Sequence, residues 1–236
     1  MNTNGIKPNR WLESVNCAIE GVLWAARTQR HMRYHFLAAV AVLLLALFLR
    51  VTALDFVLLA FAVTLVLFAE LINTALEVVV DLISPQYHPL ARRAKDVAAG
   101  SVLVASIGAA VIGYLALARY VFPGAGEEPG GALPPGEPAV VSVLAVILLV
   151  VVLKARLGYG TPLHGGMPSG HAAVAFAIAT AIILSGTGPI LSILAAAMAA
   201  MVSHSRLLLE IHNLKEVLVG AALGAGITAV IYLLFA

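Results

Sequence analysis

The chain alternates long apolar stretches with short polar segments. Seven apolar runs lie at roughly 36–53, 56–83, 97–122, 139–153, 172–187, 189–203 and 217–236. A helix needs about 20 apolar residues to cross the hydrocarbon core of a bilayer, which is about 30 Å thick. The fourth to sixth runs are shorter and would need tilted partners or local thinning of the bilayer. The pattern predicts an all-α integral membrane protein with about seven transmembrane helices.

Composition excludes a soluble globular domain. Hydrophobic residues make up 61% of the 236 residues, charged residues only 11%, and the mean hydropathy is +1.00. An ordinary soluble domain carries about 25% charged residues. The net charge of +2 gives no reason to expect a nucleic-acid partner, and the single cysteine, Cys17, excludes an intrachain disulfide. The first apolar run begins only near Phe36, behind several basic residues, so we expect an uncleaved, cytoplasmic amino terminus.

A stretch rich in glycine and proline divides the chain. Ten of the 16 residues from Pro123 to Pro138 are Gly or Pro, a composition that opposes helix formation and is typical of a linker. Because the apolar content is high on both sides, the sequence predicts two membrane modules. They comprise residues 1–122 and 139–236, joined by a linker at 123–138.

Basic residues are unevenly distributed between the predicted loops. With a cytoplasmic amino terminus and seven crossings, twelve of the 14 Lys and Arg residues lie on the inner side, and only Arg50 and Arg119 lie on the outer side. This bias agrees with the positive-inside rule. All seven histidines also lie on or near the inner face, so we expect any chemistry to face the cytoplasm.

The second apolar run carries a stripe of polar residues. Glu70, Asn73, Glu77 and Asp81 are spaced three, four and four apart, which places them on one face of a helix. An acid at the centre of a span costs about 2.5–3.5 kcal/mol on insertion scales. The structural alternative is a hydrogen-bonded contact between helices. Basic residues follow the stripe, however, which favours a site for Mg²⁺ and phosphate with one acid left as a base.

The segment from Glu70 to Asp81, with Tyr87-His88 and Ala94-Lys95-Asp96 behind it, closely resembles the small membrane diacylglycerol kinase and undecaprenol kinase family. The likeness covers about residues 12–122. It implies an amphipathic surface helix, which the stretch from Trp11 to His35 fits, followed by three spans. It also implies a homotrimer whose active sites lie between subunits.

The same resemblance implies roles for five residues. Glu70 is the general base on the lipid hydroxyl, Asn73 orients the site, and Glu77 is a Mg²⁺ ligand. Lys95 and Asp96 bind the nucleotide. ATP and Mg²⁺ are therefore the expected cofactors.

One position departs from the kinase pattern. The family carries a second metal-binding Glu on the surface helix, and Gln29 occupies that position here. An amide oxygen can coordinate Mg²⁺ but brings no negative charge, so we expect weaker metal binding unless ATP phosphates compensate. Gln29 and Glu77 are thus the expected metal-binding positions.

The second module has three polar clusters near the ends of predicted spans. They are Lys154 with Thr161-Pro162, the segment His164 to His171, and Ser205-Arg206 followed by His212 and Glu216. A glycine-rich loop that opens a helix is typical of anion binding, because free backbone N–H groups attract phosphate. His212 and Glu216 are four residues apart, so the carboxylate can fix the tautomer of a histidine nucleophile. The structural alternative is histidines that only pack beside the membrane.

These clusters resemble the signatures of the type 2 phosphatidic acid phosphatase superfamily, which are Lys-x6-Arg-Pro, Pro-Ser-Gly-His and Ser-Arg-x5-His-x3-Asp. The resemblance implies that His212 attacks the phosphorus and becomes phosphohistidine, that Glu216 orients it, and that His171 protonates the leaving alkoxide. It implies a metal-free phosphate cradle formed by Lys154, Ser169, Gly170 and Arg206. Thr161 replaces a cationic phosphate ligand, and Glu216 replaces Asp.

The sequence therefore predicts a bifunctional lipid enzyme of the bacterial inner membrane. One module would phosphorylate a lipid alcohol, such as undecaprenol or diacylglycerol, and the other would dephosphorylate a lipid phosphate, such as undecaprenyl phosphate. In one alternative, only one module is catalytic and the other is a structural or regulatory partner. In another, the acids form a transporter's proton relay, which would require them to line a path across the bilayer instead of clustering toward one face.

Overall fold

The computed structural model describes residues 11–121, 136–157 and 165–235, which form α-helices joined by short turns. Within these ranges the helices are α1 (Trp11–Thr28), α2 (Arg30–Phe48), α3 (Ala53–Ile83), α4 (Pro89–Val121), α5 (Glu137–Leu157), α6 (Gly170–Leu184), α7 (Pro189–Leu208) and α8 (Leu214–Phe235). Six of them, α2 to α5, α7 and α8, are long and apolar enough to cross a membrane. Helix α6 is apolar but has only 15 residues. The all-α membrane architecture is confirmed, and a seventh crossing by α6 stays a prediction.

Every helix from α2 to α8 except α7 begins before the apolar run that predicted it. Helix α2 begins at Arg30, α4 at Pro89 and α5 at Glu137. Hydropathy marks only the lipid-facing part of a helix, whereas Arg, Lys and Glu continue it into the polar zone because they are good helix formers. The prediction that the linker extends to Pro138 without helix is wrong at its last two residues. Pro138 lies in the first turn of α5, where its missing N–H costs no hydrogen bond.

The amphipathic helix before the first span is shorter than predicted. Helix α1 ends at Thr28, and Gln29 has an extended backbone (φ −97°, ψ 120°) that separates it from α2. The Arg33 side chain donates a hydrogen bond to the carbonyl oxygen of Arg27 at 3.0 Å, which satisfies a carbonyl in the last turn of α1. The predicted continuous helix from Trp11 to His35 is therefore wrong, and Gln29 lies at a corner between two helices.

The chain divides into two compact units, Met1–Pro123 and Gly124–Ala236. In the first unit α3 packs against α2 and α4, and α1 contacts α2 and α3. A core of Ala46, Leu59 and Ala116 lies between these helices. Helix α3, which carries the polar stripe, is thus contacted by every other helix of this unit.

A buried carboxylate fastens the beginning of α3 to the end of α4. Asp55, only 8% exposed, accepts hydrogen bonds from the Thr52 hydroxyl (2.7 Å) and the Tyr120 hydroxyl (2.8 Å) and forms an ion pair with Arg119. A buried charge is tolerated when it is paired and hydrogen-bonded in this way. The contact fixes the register of the α3–α4 hairpin, and so sets which residues meet at its other end.

In the second unit, α6 contacts α5, α7 and α8. Helix α8 approaches α6 through Gly220 and Gly224. A Cβ atom at Gly220 would overlap the carbonyl oxygen of Ser169, and one at Gly224 would overlap that of Ala173. Small residues allow this kind of close backbone contact between membrane helices. The first turns of α6 and α8 are therefore held side by side.

Replacing Gly224 should loosen this contact. We expect Gly224→Ala to destabilise the protein by roughly 1–3 kcal/mol, because the added methyl group meets backbone that cannot move aside. Gly226→Ala is the matched control, since a Cβ there meets nothing within 4 Å. The measurement is the thermal unfolding midpoint of each variant in the same detergent. Equal midpoints for the two variants would contradict the close approach of α8 to α6.

Candidate functional site

The polar stripe on α3 runs from buried to exposed positions. Glu70 and Asn73 are 4% and 8% exposed, Glu77 is half-buried, and Asp81 is exposed. The Asn73 amide donates to Oε1 of Glu77 at 3.1 Å. Within the described ranges, Asn73 Oδ1 is buried without a partner and Glu70 accepts no hydrogen bond. Buried polar atoms are normally hydrogen-bonded, so the unpaired Asn73 Oδ1, one helical turn from a Glu70 carboxylate without a donor, favours a ligand site over a purely structural contact.

The exposed end of the stripe meets the start of α4. Lys95 Nζ lies 2.5 Å from Oδ1 of Asp81, and Arg92 Nε lies 3.8 Å from Oδ2 of Asp96. The turn between the helices is fixed by His88, whose Nδ1 accepts a hydrogen bond from the backbone N–H of Leu90 at 3.2 Å. An open recess of about 430 Å³ lies here. Its lining includes Asp81, Tyr87, His88, Arg92, Lys95 and Asp96.

The structure brings some of the predicted kinase residues together and leaves others apart. Asn73 contacts Glu77, and Lys95 and Asp96 line one recess. The ion pair between Lys95 and Asp81 was not predicted. Gln29 lies half-buried at the α1–α2 corner and makes no capping hydrogen bond. In the part of the chain that the structure describes, no three His, Cys, Asp or Glu side chains are grouped to hold a metal ion, so a cation at Glu77 needs ligands from elsewhere.

A second polar cluster surrounds the start of α6. Gly165 and Gly166 have φ values of 74° and 83°, in the left-handed region that favours glycine. Ser169 is the N-cap of α6 and fully buried, and its Oγ has no hydrogen-bond partner among the described residues. The first N–H groups of a helix attract anions. Together with an unpaired hydroxyl and Gly170 in the first turn, they form a site suited to phosphate oxygens.

His212 and Glu216 contact each other directly. The His212 side chain is 1% exposed, and its Nδ1 lies 2.7 Å from Oε2 of Glu216. A carboxylate at Nδ1 favours the tautomer with the proton on that nitrogen and leaves the Nε2 lone pair free. This arrangement suits a nucleophilic imidazole.

Three polar residues from the end of α5, the end of α7 and the turn before α8 lie within electrostatic range of His171, near the start of α6. Lys154, Arg206 and His212 all interact electrostatically with the His171 imidazole, and Lys154 also interacts with Glu216. Lys154 Nζ donates a hydrogen bond to the carbonyl oxygen of Gly165 at 3.0 Å. The three predicted clusters thus meet at one place, although Thr161 and His164 lie outside the described residues.

Sequence reasoning missed Asn213. Its side-chain Oδ1 accepts a hydrogen bond from the backbone N–H of Glu216 at 2.9 Å, and the Glu216 carboxylate accepts one from the backbone N–H of Asn213 at 3.3 Å. This reciprocal pair is a capping box at the start of α8. The signal was present in the sequence as an N-cap residue three positions before a Glu.

Comparison with known proteins identifies the first unit. Residues 16–117 match the family model described as prokaryotic diacylglycerol kinase. The chain is also 37% identical over 107 residues to the undecaprenol kinase of Bacillus subtilis (strain 168), a match that covers 45% of this chain and 87% of that protein. The chain belongs to the prokaryotic diacylglycerol kinase family. Its first unit therefore belongs to a family of membrane lipid kinases, as the Glu70–Asp81 segment predicted.

Two further family members show how far the likeness extends. The diacylglycerol kinase of Synechocystis sp. is 44% identical over 115 residues, covering 46% of this chain and 66% of that protein. The diacylglycerol kinase of Escherichia coli (strain K12) is 34% identical over 110 residues, covering 47% of this chain and 88% of that protein. No solved structure matches the chain significantly. Because the family match ends at residue 117, any function of the second unit rests on its own residues.

Proposed function

We propose that the chain is a bifunctional membrane lipid enzyme. The first unit transfers a phosphoryl group from ATP to a lipid alcohol, and the second removes phosphate from a lipid phosphate through a phosphohistidine. The observation that carries the kinase proposal is the buried, unpaired Glu70 in a lipid kinase family member. The observation that carries the phosphatase proposal is the His212–Glu216 pair, which lies within electrostatic range of His171.

In the kinase reaction Glu70 acts as general base. Its carboxylate has no donor competing for it in the described part of the chain, so an oxygen is available to accept the proton of the lipid hydroxyl. That hydroxyl oxygen then attacks the terminal phosphorus of ATP. A position in the apolar middle of α3 suits a substrate whose tail lies in the bilayer. The relatives' names indicate undecaprenol or diacylglycerol as the lipid.

The donor set on α3 fits Mg²⁺. Carboxylate and amide oxygens are the ligands this hard cation prefers, and both Glu77 and the unpaired Oδ1 of Asn73 supply them. When bound, Mg²⁺ neutralises charge on the transferred phosphoryl group. Further ligands would come from ATP phosphates, water, the amide of Gln29, or another subunit of the proposed homotrimer.

Lys95 and Asp96 would hold the nucleotide in the recess between α3 and α4. The Lys95 ammonium group is paired with the Asp81 carboxylate. When ATP binds, a phosphate oxygen would replace that carboxylate as the partner of Lys95. The basic residues around this recess agree with a cytoplasmic location, where ATP is available. We propose that both sites face the cytoplasm from a bacterial inner membrane.

In the phosphatase reaction, Nε2 of His212 attacks the phosphorus of the lipid phosphate. A P–N bond forms, the P–O bond to the lipid breaks, and His171 donates a proton to the leaving alkoxide. Water then hydrolyses the phosphohistidine. Lys154, Arg206, Ser169 and the N–H group of Gly170 would hold the phosphate oxygens.

Removing the carboxylate of Glu70 tests the kinase proposal. Glu70→Gln keeps the shape of the side chain but removes the proton acceptor, so phosphoryl transfer should fall by about 10²- to 10⁴-fold. Nucleotide binding should persist. Labelled ATP with undecaprenol or diacylglycerol measures the product, and Glu137→Gln, an acid outside the stripe, is the control. Turnover like that of the wild type in Glu70→Gln would overturn the assigned role.

Removing the nucleophile of the second unit tests whether the two reactions share a lipid. With His212→Ala, no phosphoenzyme can form, so purified protein given ATP, Mg²⁺ and lipid alcohol should accumulate lipid monophosphate faster than the wild type. His204→Ala, which removes an exposed histidine of α7, is the matched control. An unchanged time course in His212→Ala, when the wild type hydrolyses another lipid phosphate, would mean that the two units use different lipids. Absence of phosphate release by the wild type from every lipid phosphate would favour the alternative, in which only the kinase unit is catalytic.

A further inference from the structure

We propose that Asn213 is a positioning residue of the phosphatase site, because its capping box with Glu216 directs the carboxylate onto His212. The role goes beyond capping α8. It rests on the proposed phosphatase function, and it concerns a residue that the signature motifs leave unspecified.

Three hydrogen bonds join Asn213 to Glu216. Asn213 Oδ1 accepts from the backbone N–H of Glu216 at 2.9 Å, Asn213 Nδ2 donates to Oε1 at 3.1 Å, and the backbone N–H of Asn213 donates to Oε2 at 3.3 Å. The same Oε2 lies 2.7 Å from Nδ1 of His212. Both carboxylate oxygens are thus engaged, and only one orientation of the carboxylate satisfies all of these partners.

The length of the Glu216 side chain explains why such a restraint matters. Glutamate has one more rotatable bond than aspartate, so more conformational entropy must be lost to hold its carboxylate in a single place. The Asn213 amide holds Oε1, whereas His212 contacts Oε2. A carboxylate that is free to rotate would no longer favour one tautomer and one orientation of the imidazole.

The capping box is also connected to the phosphate-binding loop. The backbone carbonyl oxygen of Glu216 accepts a hydrogen bond from the backbone N–H of Ser169 at 3.0 Å. The helical turn that holds the carboxylate therefore also holds the N-cap of α6. Ser169 bonds to the backbone of Glu216 and Asn213 Nδ2 bonds to its carboxylate. Loss of the Nδ2 donor should therefore reduce the chemical step more than substrate binding.

Replacement by serine separates positioning from capping. Asn213→Ser keeps a side-chain oxygen for the backbone N–H of Glu216, and serine is as good an N-cap as asparagine, but it removes the donor to Oε1. We expect kcat for lipid phosphate hydrolysis to fall by about 10- to 100-fold, with KM and the unfolding midpoint unchanged. Lys215→Ser, an exposed position in the same turn, should behave like the wild type.

A double-mutant comparison tests the route of the effect. In a Glu216→Gln background, Asn213→Ser should cause little further loss, because the carboxylate that Asn213 restrains is already gone. A kcat for Asn213→Ser within twofold of the wild type would overturn the proposal. An equal fold-loss in both backgrounds would also overturn it, since Asn213 would then act independently of Glu216.

Nitrogen NMR provides a readout independent of turnover. In protein labelled with ¹⁵N-histidine and assigned with His212→Gln, the neutral His212 ring should carry its proton on Nδ1 in the wild type and show mixed tautomers in Asn213→Ser. If the wild type hydrolyses no lipid phosphate, the proposed function fails while this comparison still tests the positioning role. The same single tautomer in both proteins would contradict it.

Discussion

The scarcity of hydrogen-bond partners inside a bilayer is the constraint on which both units depend. It confines the described backbone to helices, and it makes a charged side chain within them costly unless that side chain is paired. Helix α3 contains both cases. Asp55 is enclosed by Thr52, Tyr120 and Arg119 and serves to fix the hairpin. Glu70 is just as buried but has no partner in the described chain, and that difference separates a structural acid from a candidate catalytic one.

The two units meet this constraint in different ways. The kinase unit presents its polar groups as a stripe along one helix, with an incomplete set of metal ligands within the described residues. In the second unit the polar groups come from four helix ends, where side chains lie close to the first backbone N–H groups of a helix. The glycines of α8 make this possible, because they bring the starts of α6 and α8 close enough for Ser169 to bond to Glu216.

Much of this arrangement could be predicted from the sequence. The apolar runs indicated the membrane helices, and the spacing of His212 and Glu216 anticipated their contact. The helix starts at Arg30, Pro89 and Glu137 could not be read from hydropathy, which does not register polar residues that continue a helix. The corner at Gln29 and the ion pair of Lys95 with Asp81 depend on how helices pack, which local spacing does not determine. Asn213 was readable as a capping residue, but its contact with the carboxylate required the structure.

We propose that one chain holds a lipid kinase site and a histidine-dependent phosphatase site. The most direct measurement is to mix the purified Glu70→Gln protein with a ³²P-labelled lipid phosphate, quench within the first turnover, and map the labelled peptide. We expect an acid-labile, alkali-stable phosphohistidine at His212, formed without ATP or added metal and absent from His212→Ala. Release of labelled phosphate by a protein in which His212 never becomes labelled would contradict it.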